Sequence, residues 1–183
     1  MASKAKKVDI EKTIAEYIEE NKPKGVKLHL GCGSDKQEGF LGVDKLDIPG
    51  VDIIQDPEQY PWVFPDECAE LVIAPNLVER INPAGNGFIK FMDEVWRVLI
   101  PGGKFMIATP YAGSPLWWRD PTHCNACTEM TWAYFDPLDI ATDGLAYKKY
   151  KPKPWKIIFS TWTEIGNLEV ALEKRREDPS YYE

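Results

Sequence analysis

A glycine turn and a downstream aspartate are the residues of this sequence best suited to bind a ligand. Residues 26–30 have strand character, and Gly31 and Gly33 follow directly. Glycine reaches backbone angles closed to other residues and lets a ligand approach the main chain. Asp44 ends the next apolar segment, where a carboxylate can accept hydrogen bonds from both hydroxyls of a ribose. A buried strand followed by a Gly-x-Gly turn predicts a nucleotide-type cleft in an α/β sheet, although Asp44 follows the turn more closely than the roughly 20-residue spacing of dinucleotide-binding folds. The structural alternatives are a tight turn and a strand-end cap.

Histidine is the usual general base near neutral pH, and the chain has two. His29 lies inside the first predicted strand, which favours a structural role. His123 lies in an aromatic segment close to Asp120, which could orient its ring or raise its basicity. We therefore predict His123 and Asp120 as the catalytic pair. The alternative is a loop histidine satisfied by local hydrogen bonds.

Candidate substrate contacts come from the same segment. Trp117 and Trp118 could stack on a planar or sugar substrate, or on a sulfonium by cation–π attraction, and Arg119 follows them. The structural alternative is that the rings pack the segment onto the sheet. Cys124 and Cys127 form a single Cys-x-x-Cys motif, whereas structural zinc normally takes four ligands from paired motifs. We therefore expect no metal.

Composition indicates one soluble domain over residues 1–183. The formal net charge of -7 argues against tight nucleic-acid binding, which depends on neutralising phosphates. No segment approaches the apolar length of a membrane span. No apolar stretch follows the basic residues 1–8, so we expect no signal peptide there. We expect a cytoplasmic protein whose cysteines are free thiols and which does not contact a membrane. A homo-oligomer is one option for its assembly. Residues 110–150 form the predicted aromatic, substrate-side segment, and residues 177–183 form a tail.

Hydrophobic spacing predicts alternating helices and strands. An amphipathic helix is expected over residues 9–21, followed by a sheet whose first two strands are joined by a loop or a single helical turn. The remaining predictions are strands at 51–56, 70–74 and 104–109, a helix at 87–100, and two final strands at 155–163 and 168–173 that pair as an antiparallel hairpin.

Four motifs in this order resemble the class I S-adenosylmethionine-dependent methyltransferases, and most closely the small type 11 branch. They are Leu-His-Leu-Gly-Cys-Gly at 28–33, Gly-Phe-Leu-Gly-Val-Asp at 39–44, Leu-Val-Glu-Arg at 77–80 and Glu-Val-Trp-Arg-Val-Leu-Ile-Pro-Gly-Gly at 94–103. The resemblance covers residues 26–109 and continues weakly through Asp-Pro-Thr-His at 120–123. It implies a Rossmann-like class I methyltransferase fold, α/β, with a mostly parallel seven-stranded sheet and a C-terminal antiparallel hairpin.

The resemblance also implies which residues bind S-adenosylmethionine: Gly31, Cys32, Gly33, Asp44, Lys45, Asp56, Pro57 and Asn76. Asp44 would hold the ribose, Asp56 and its neighbour would face the adenine, and Asn76 would lie beside the methyl donor. This chain departs from the family at three positions. It has Asn76 and Arg80 where histidines are frequent, and Ile100 where lysine is usual before Pro-Gly-Gly.

These observations predict a methyltransferase that methylates an oxygen or nitrogen of a small-molecule or glycan acceptor. Two alternatives are a non-catalytic S-adenosylmethionine-binding module and a subunit of a nucleic-acid methyltransferase. A nicotinamide-dependent oxidoreductase is disfavoured, because the turn Gly-Cys-Gly-Ser-Asp-Lys lacks the third glycine of the dinucleotide fingerprint.

Overall fold

A seven-stranded sheet forms the centre of the protein. The computed structural model describes residues 16–20, 25–139 and 149–183. The strands are β1 (Val26–Leu30), β2 (Leu41–Asp44), β3 (Ile53–Ile54), β4 (Ala69–Pro75), β5 (Leu99–Pro110), β6 (Trp155–Trp162) and β7 (Asn167–Lys174). Their order in the sheet is β3-β2-β1-β4-β5-β7-β6; β7 runs antiparallel to both β5 and β6, and the other neighbouring pairs are parallel. The predicted sheet and its C-terminal hairpin are confirmed.

Three α-helices of the described residues have complete boundaries: α1 (Gly87–Val98), α2 (Pro115–Trp118) and α3 (Glu129–Ala133). Short 3-10 turns occupy Val78–Arg80, Ala84–Asn86 and Pro179–Tyr182. Residues 16–20 are helical, as predicted; the rest of the helix predicted at 9–21 and the tail at 1–8 lie outside the described residues. No helix of the described residues is long and apolar enough to cross a membrane.

Helix α1 covers one face of the sheet with the apolar stripe that its spacing predicts. Phe91, Met92, Val95 and Val98 are all buried. The Phe91 ring lies 5.8 Å from Trp62 and 6.1 Å from Phe105, so aromatic contacts link the helix to the loop before β4 and to the sheet. These residues form core, and the predicted helix is confirmed to within two residues at its end.

The Pro-Gly-Gly sequence lies inside β5 and not in the turn after α1. Leu99 already has extended backbone angles and pairs with Ala69 of β4. Helix α1 therefore ends at Val98, because sheet pairing takes over before the proline is reached. The pairing then shifts register between Ala69 and Leu71, which accommodates the glycines.

The segment after β5 is less irregular than predicted. Helices α2 and α3 break it into short loops, and Thr128 opens α3 with a reciprocal capping box with Thr131. Residues 140–148 of this predicted segment lie outside the described residues. The connection between β1 and β2 is a loop, as its length predicts.

Lys174 joins β7 to the end of α1. Its ammonium donates a hydrogen bond to the Leu99 carbonyl at 2.7 Å and lies 3.1 Å from a Glu67 carboxylate oxygen. It also lies 3.9 Å from the centre of the Trp96 ring. A buried ammonium is retained only when its donors are satisfied, and these three contacts satisfy it.

Replacing Lys174 with methionine should lower the free energy of unfolding by about 2 kcal/mol, because the buried Leu99 carbonyl loses its side-chain donor. Urea denaturation measures the change. Lys156→Met is the matched control, since Lys156 lies half-exposed on the neighbouring strand, 3.9 Å from Glu173, and should change stability by less than about 0.5 kcal/mol. Equal effects of the two substitutions would contradict this account.

Candidate functional site

A crevice opens where the strand order reverses between β1 and β4. In open α/β sheets, ligands bind at such a switch point, outside the carboxyl ends of the strands. Two neighbouring clefts occupy this position. The first, which we call the donor cleft, measures about 270 Å³. It is lined by Gly31, Asp44, Lys45, Leu46, Pro57, Glu58, Asn76, Leu77, Arg80 and Ile81.

The glycine turn and Asp44 are joined directly; Gly31 and Asp44 line the donor cleft, whereas Gly33 lies outside its lining. Gly31 and Gly33 adopt positive φ angles of 64° and 52°, and a Cβ added at Gly33 would meet nothing within 4 Å. The Gly33 N–H donates to Asp44 Oδ2 at 2.9 Å, and the Leu46 N–H donates to Oδ1 at 3.0 Å. An ionised carboxylate has about four acceptor positions, so each oxygen keeps one for a further donor. Asp44 can thus hold the loop and still accept two hydroxyl groups.

The other predicted cofactor residues lie in different places. Lys45, Pro57 and Asn76 line the donor cleft. Cys32 is buried under the turn, and burial raises the pKa of its thiol. Asp56 lies outside the cleft lining, with its carboxylate accepting the Glu58 N–H at 2.9 Å.

The second cleft, which we call the acceptor cleft, measures about 520 Å³. It is lined by Asn76, Glu79, Arg80, Pro110, Leu116, Arg119, Asp120, His123, Ile165 and Asn167. Asn76 and Arg80 line both clefts, which therefore adjoin at these two residues. Asn76 has a positive φ of 52° directly after β4, and its N–H donates to the Ala108 carbonyl at 2.8 Å.

The turn after β4 fixes the loop that carries His123. The Glu79 carbonyl accepts the N–H groups of Cys124 and Asn125 at 2.8 and 3.0 Å. The Arg80 guanidinium donates to Asp120 at 2.7 Å and also to the Thr122 hydroxyl. Glu79 and Arg80, in the turn after β4, thus hold both sides of the loop. The loop presents its side chains to the acceptor cleft.

The protonation pattern of His123 follows from its contacts. Nδ1 lies 2.9 Å from the Trp117 carbonyl oxygen, which can only accept, so Nδ1 carries the proton. In the neutral ring, Nε2 is then the unprotonated nitrogen. Nε2 lies 3.7 Å from Asp120 Oδ2 and 4.0 Å from Glu79 Oε1, beyond direct hydrogen bonding to either. His123 therefore offers a free basic nitrogen beside two carboxyl groups.

Glu79 is a fully buried acid in this site. Oε2 accepts the Thr109 hydroxyl at 3.0 Å, while Oε1 has no hydrogen-bond partner among the described residues. Burial raises the pKa of Glu79, opposed by the hydrogen bonds to its carboxyl and by the nearby His123 and Arg80. An unpaired buried carboxylate is costly. A positive charge on His123 would remove much of that cost.

Asp120 behaves in the opposite way. Hydrogen bonds from the backbone and side chain of Thr122, followed by Arg80, hold its pKa well below the usual range. Asp120 therefore remains ionised and fixes Arg80 and the loop. It does not accept a proton from substrate near neutral pH.

Trp117 and Trp118 have different surroundings. Trp117 is buried, with its ring centre 5.1 Å from that of His123, and it contributes its carbonyl to the histidine. Trp118 is 77% exposed and lies outside the lining of the acceptor cleft. Of the three predicted substrate contacts, Arg119 is the one that lines this cleft.

Both cysteines of the Cys-x-x-Cys motif are thiols. Cys124 donates its S–H to the Ile81 carbonyl at 3.1 Å, and burial raises the pKa of Cys127 to about 12. Within residues 16–20, 25–139 and 149–183, no group of three histidine, cysteine or acidic side chains is arranged to hold a metal ion.

Sequence reasoning missed Glu79, Thr109 and Asn167 as site residues. Glu79 and Thr109 lie at or just after the carboxyl ends of two adjacent parallel strands, β4 and β5. Polar residues at those ends were the signal that could have identified them. Asn167 opens β7 and enters the cleft through the antiparallel pairing of β7 with β5.

Comparison with known proteins supports the fold. No protein-family model and no curated sequence matches the chain. An S-adenosylmethionine-dependent methyltransferase from Archaeoglobus fulgidus superposes with a TM-score of 0.58 at 16% identity, covering 90% of this chain and 93% of that one. One from Thermotoga maritima gives 0.57 at 13%, covering 90% and 89%. A Haloferax volcanii structure, a complex of the Trm112 methyltransferase activator with a methyltransferase, gives 0.55 at 13%, covering 92% of each chain. The chain has the class I methyltransferase fold.

Proposed function

We propose that this protein binds S-adenosylmethionine in the donor cleft and transfers its methyl group to an oxygen or nitrogen of a small-molecule acceptor in the acceptor cleft. The observation that carries the proposal is the arrangement of the two clefts around Asn76, with the Asp44 carboxylate on one side and the free His123 Nε2 on the other.

The residues of the donor cleft suit this cofactor. The two remaining acceptor positions of Asp44 match the two ribose hydroxyls, and the open space above Gly33 admits a ligand against the main chain. Leu46, Leu77 and Ile81 offer apolar surface to an adenine ring, beside Pro57. When bound, the cofactor would supply a methyl group on a sulfonium, and the electron pair of the carbon–sulfur bond would remain on sulfur.

The chain contributes alignment and proton removal. Because the methyl donor is already activated, holding the acceptor in line in a site with little water provides much of the rate. The acceptor's lone pair forms the new bond to carbon, and its proton passes to His123 Nε2. Glu79 and Asp120 lie close enough to stabilise the resulting imidazolium electrostatically.

Calorimetric titration of S-adenosylmethionine into the purified protein tests the cofactor. We expect micromolar binding, weakened about ten-fold or more in Asp44→Asn, which corresponds to about 1.4 kcal/mol. The substitution keeps the side-chain shape and removes the charge. Asp47→Asn, at an exposed position of the same loop, is the matched control and should bind within about two-fold of the unaltered protein.

Because Asp44 also accepts two backbone N–H groups, thermal unfolding of both variants must be compared. Weaker binding counts in favour only if Asp44→Asn remains folded at the temperature of the titration. If neither S-adenosylmethionine nor S-adenosylhomocysteine releases heat or changes the melting temperature, the proposed function is wrong.

A further inference from the structure

Most charged side chains of the acceptor cleft have a charged partner among the described residues, but one does not. Arg80 donates to Asp120 and Thr122, so its charge is neutralised within the protein. His123 faces Glu79 and Asp120. Arg119 is different. Among the residues that the structure describes, no side chain or carbonyl pairs with its guanidinium.

Arg119 is exposed where it lines the acceptor cleft, and no acidic group of the described residues neutralises it. The protein has a net charge of -7, yet no acidic side chain of the described residues pairs with this arginine. Asp120, the adjacent residue, is committed to Arg80 and Thr122. The loop is also fixed by a hydrogen bond from the His123 N–H to the Asp120 carbonyl at 3.3 Å, so Arg119 and His123 are held on one short turn.

The remaining lining suits a small polar molecule. The side-chain amides of Asn76 and Asn167 have no partner within the described part of the chain, and Leu116 and Ile165 supply apolar contacts. A volume of about 520 Å³ lies in the range of small-ligand sites. Guanidinium groups recognise carboxylates and phosphates through two parallel hydrogen bonds.

We propose that the methyl acceptor carries a carboxylate or phosphate group, bound by Arg119, which places its hydroxyl or amino group at His123. This inference rests on the proposed function for the identity of the reaction, but the anion site itself is independent of it. Arg119 is therefore the residue that selects anionic acceptors over uncharged ones.

Small anions test the site without knowledge of the acceptor. Inorganic phosphate and acetate are titrated into the protein, and backbone amide NMR signals of residues 119–123 report binding. We expect saturable shifts with dissociation constants in the millimolar range, about -4 kcal/mol for a small fragment. Arg119→Gln should weaken binding at least about ten-fold, since the charge-assisted pair is lost, and Arg119→Lys should retain part of it.

Arg176→Gln is the matched control, because Arg176 is exposed like Arg119 but lies outside the cleft. Equal losses in Arg119→Gln and Arg176→Gln, or shifts that do not saturate, would show non-specific binding and overturn the proposal. The titration is repeated with saturating S-adenosylhomocysteine. Anion binding that persists supports an acceptor group, whereas its loss would assign Arg119 to the cofactor's own carboxylate and also overturn the proposal.

The two proposals fail separately. If S-adenosylhomocysteine does not bind at all, the proposed methyltransferase is wrong, and the titration of the protein alone still decides whether Arg119 forms an anion site. If the cofactor binds and the anions do not, only the acceptor class is wrong.

Discussion

Replacing His123 with asparagine should lower kcat for methyl transfer by about 10²- to 10⁴-fold, the usual contribution of a positioned general base. The asparagine amide can still donate to the Trp117 carbonyl, as Nδ1 does at 2.9 Å, so the local fold is preserved. What is lost is Nε2, the nitrogen that receives the acceptor's proton. Single-turnover transfer of a radiolabelled methyl group, to an acceptor identified by screening anionic hydroxyl and amino compounds, measures the change.

The other histidine provides the control. His29 is buried in β1, and its Nδ1 accepts the Gln37 N–H at 3.2 Å, while burial lowers its pKa. Asparagine can replace that acceptor, so His29→Asn should leave kcat within about three-fold in protein that remains folded. Both variants should bind S-adenosylmethionine normally, since neither histidine lines the donor cleft. A kcat for His123→Asn within about three-fold of the unaltered enzyme would show that His123 is not the base.

The sheet and the donor cleft could be predicted because their determinants are local. Apolar and polar residues alternate in the sequence of β1, and Gly31 and Gly33, which adopt positive φ, follow the strand directly. Asp44 ends β2, which pairs beside β1. A single stretch of the chain therefore contains most of what defines this cleft.

The acceptor cleft depends on contacts between distant segments, which local patterns do not reveal. Glu79 is fully buried, and the loop at Cys124 and Asn125, more than forty residues away in sequence, donates hydrogen bonds to its carbonyl. The pairing of Arg80 with Asp120 spans forty residues. Lys174 is buried for a similar reason, since its partners at Leu99 and Glu67 lie far away in sequence.

The same contacts explain why an arginine at position 80 suits this site. Arg80, at a position where the family that the sequence resembles often has histidine, lines both clefts and holds the Asp120 loop by its guanidinium. A histidine there would be too short and too weakly charged to make both contacts. Arg80 thereby holds the loop that carries His123.

Glu79 should matter nearly as much as His123, because its proposed role is to stabilise the protonated histidine. Glu79→Gln keeps the shape and can keep the Thr109 hydrogen bond, but it removes the charge 4.0 Å from Nε2. We expect kcat to fall about 100-fold, comparable to removing one preorganised group from an active site. KM for the acceptor should change by less than about three-fold, because Glu79 acts on the protonated histidine and not on substrate binding.

Replacing Glu79 should raise the free energy of unfolding as pH rises, although it lowers kcat. This combination separates its role from a structural one. Because burial raises the pKa of Glu79 above its ordinary 4.5, the folded state holds its proton more tightly than the unfolded chain. That contribution to stability is complete below the unfolded pKa and is lost as pH rises toward the folded pKa. The groups that face this carboxyl are His123, Arg80, Cys124, Cys127 and Thr109.

The comparison is therefore made in the His123→Asn background, where the histidine no longer titrates. The Glu79→Gln/His123→Asn protein should gain stability over His123→Asn as pH rises from about 4.5 to about 8 in urea denaturation. A structural acid whose loss opens a cavity would give a constant deficit at every pH. A difference that does not grow with pH, together with an unchanged kcat in Glu79→Gln alone, would contradict the assignment of Glu79 as the group that stabilises the protonated base.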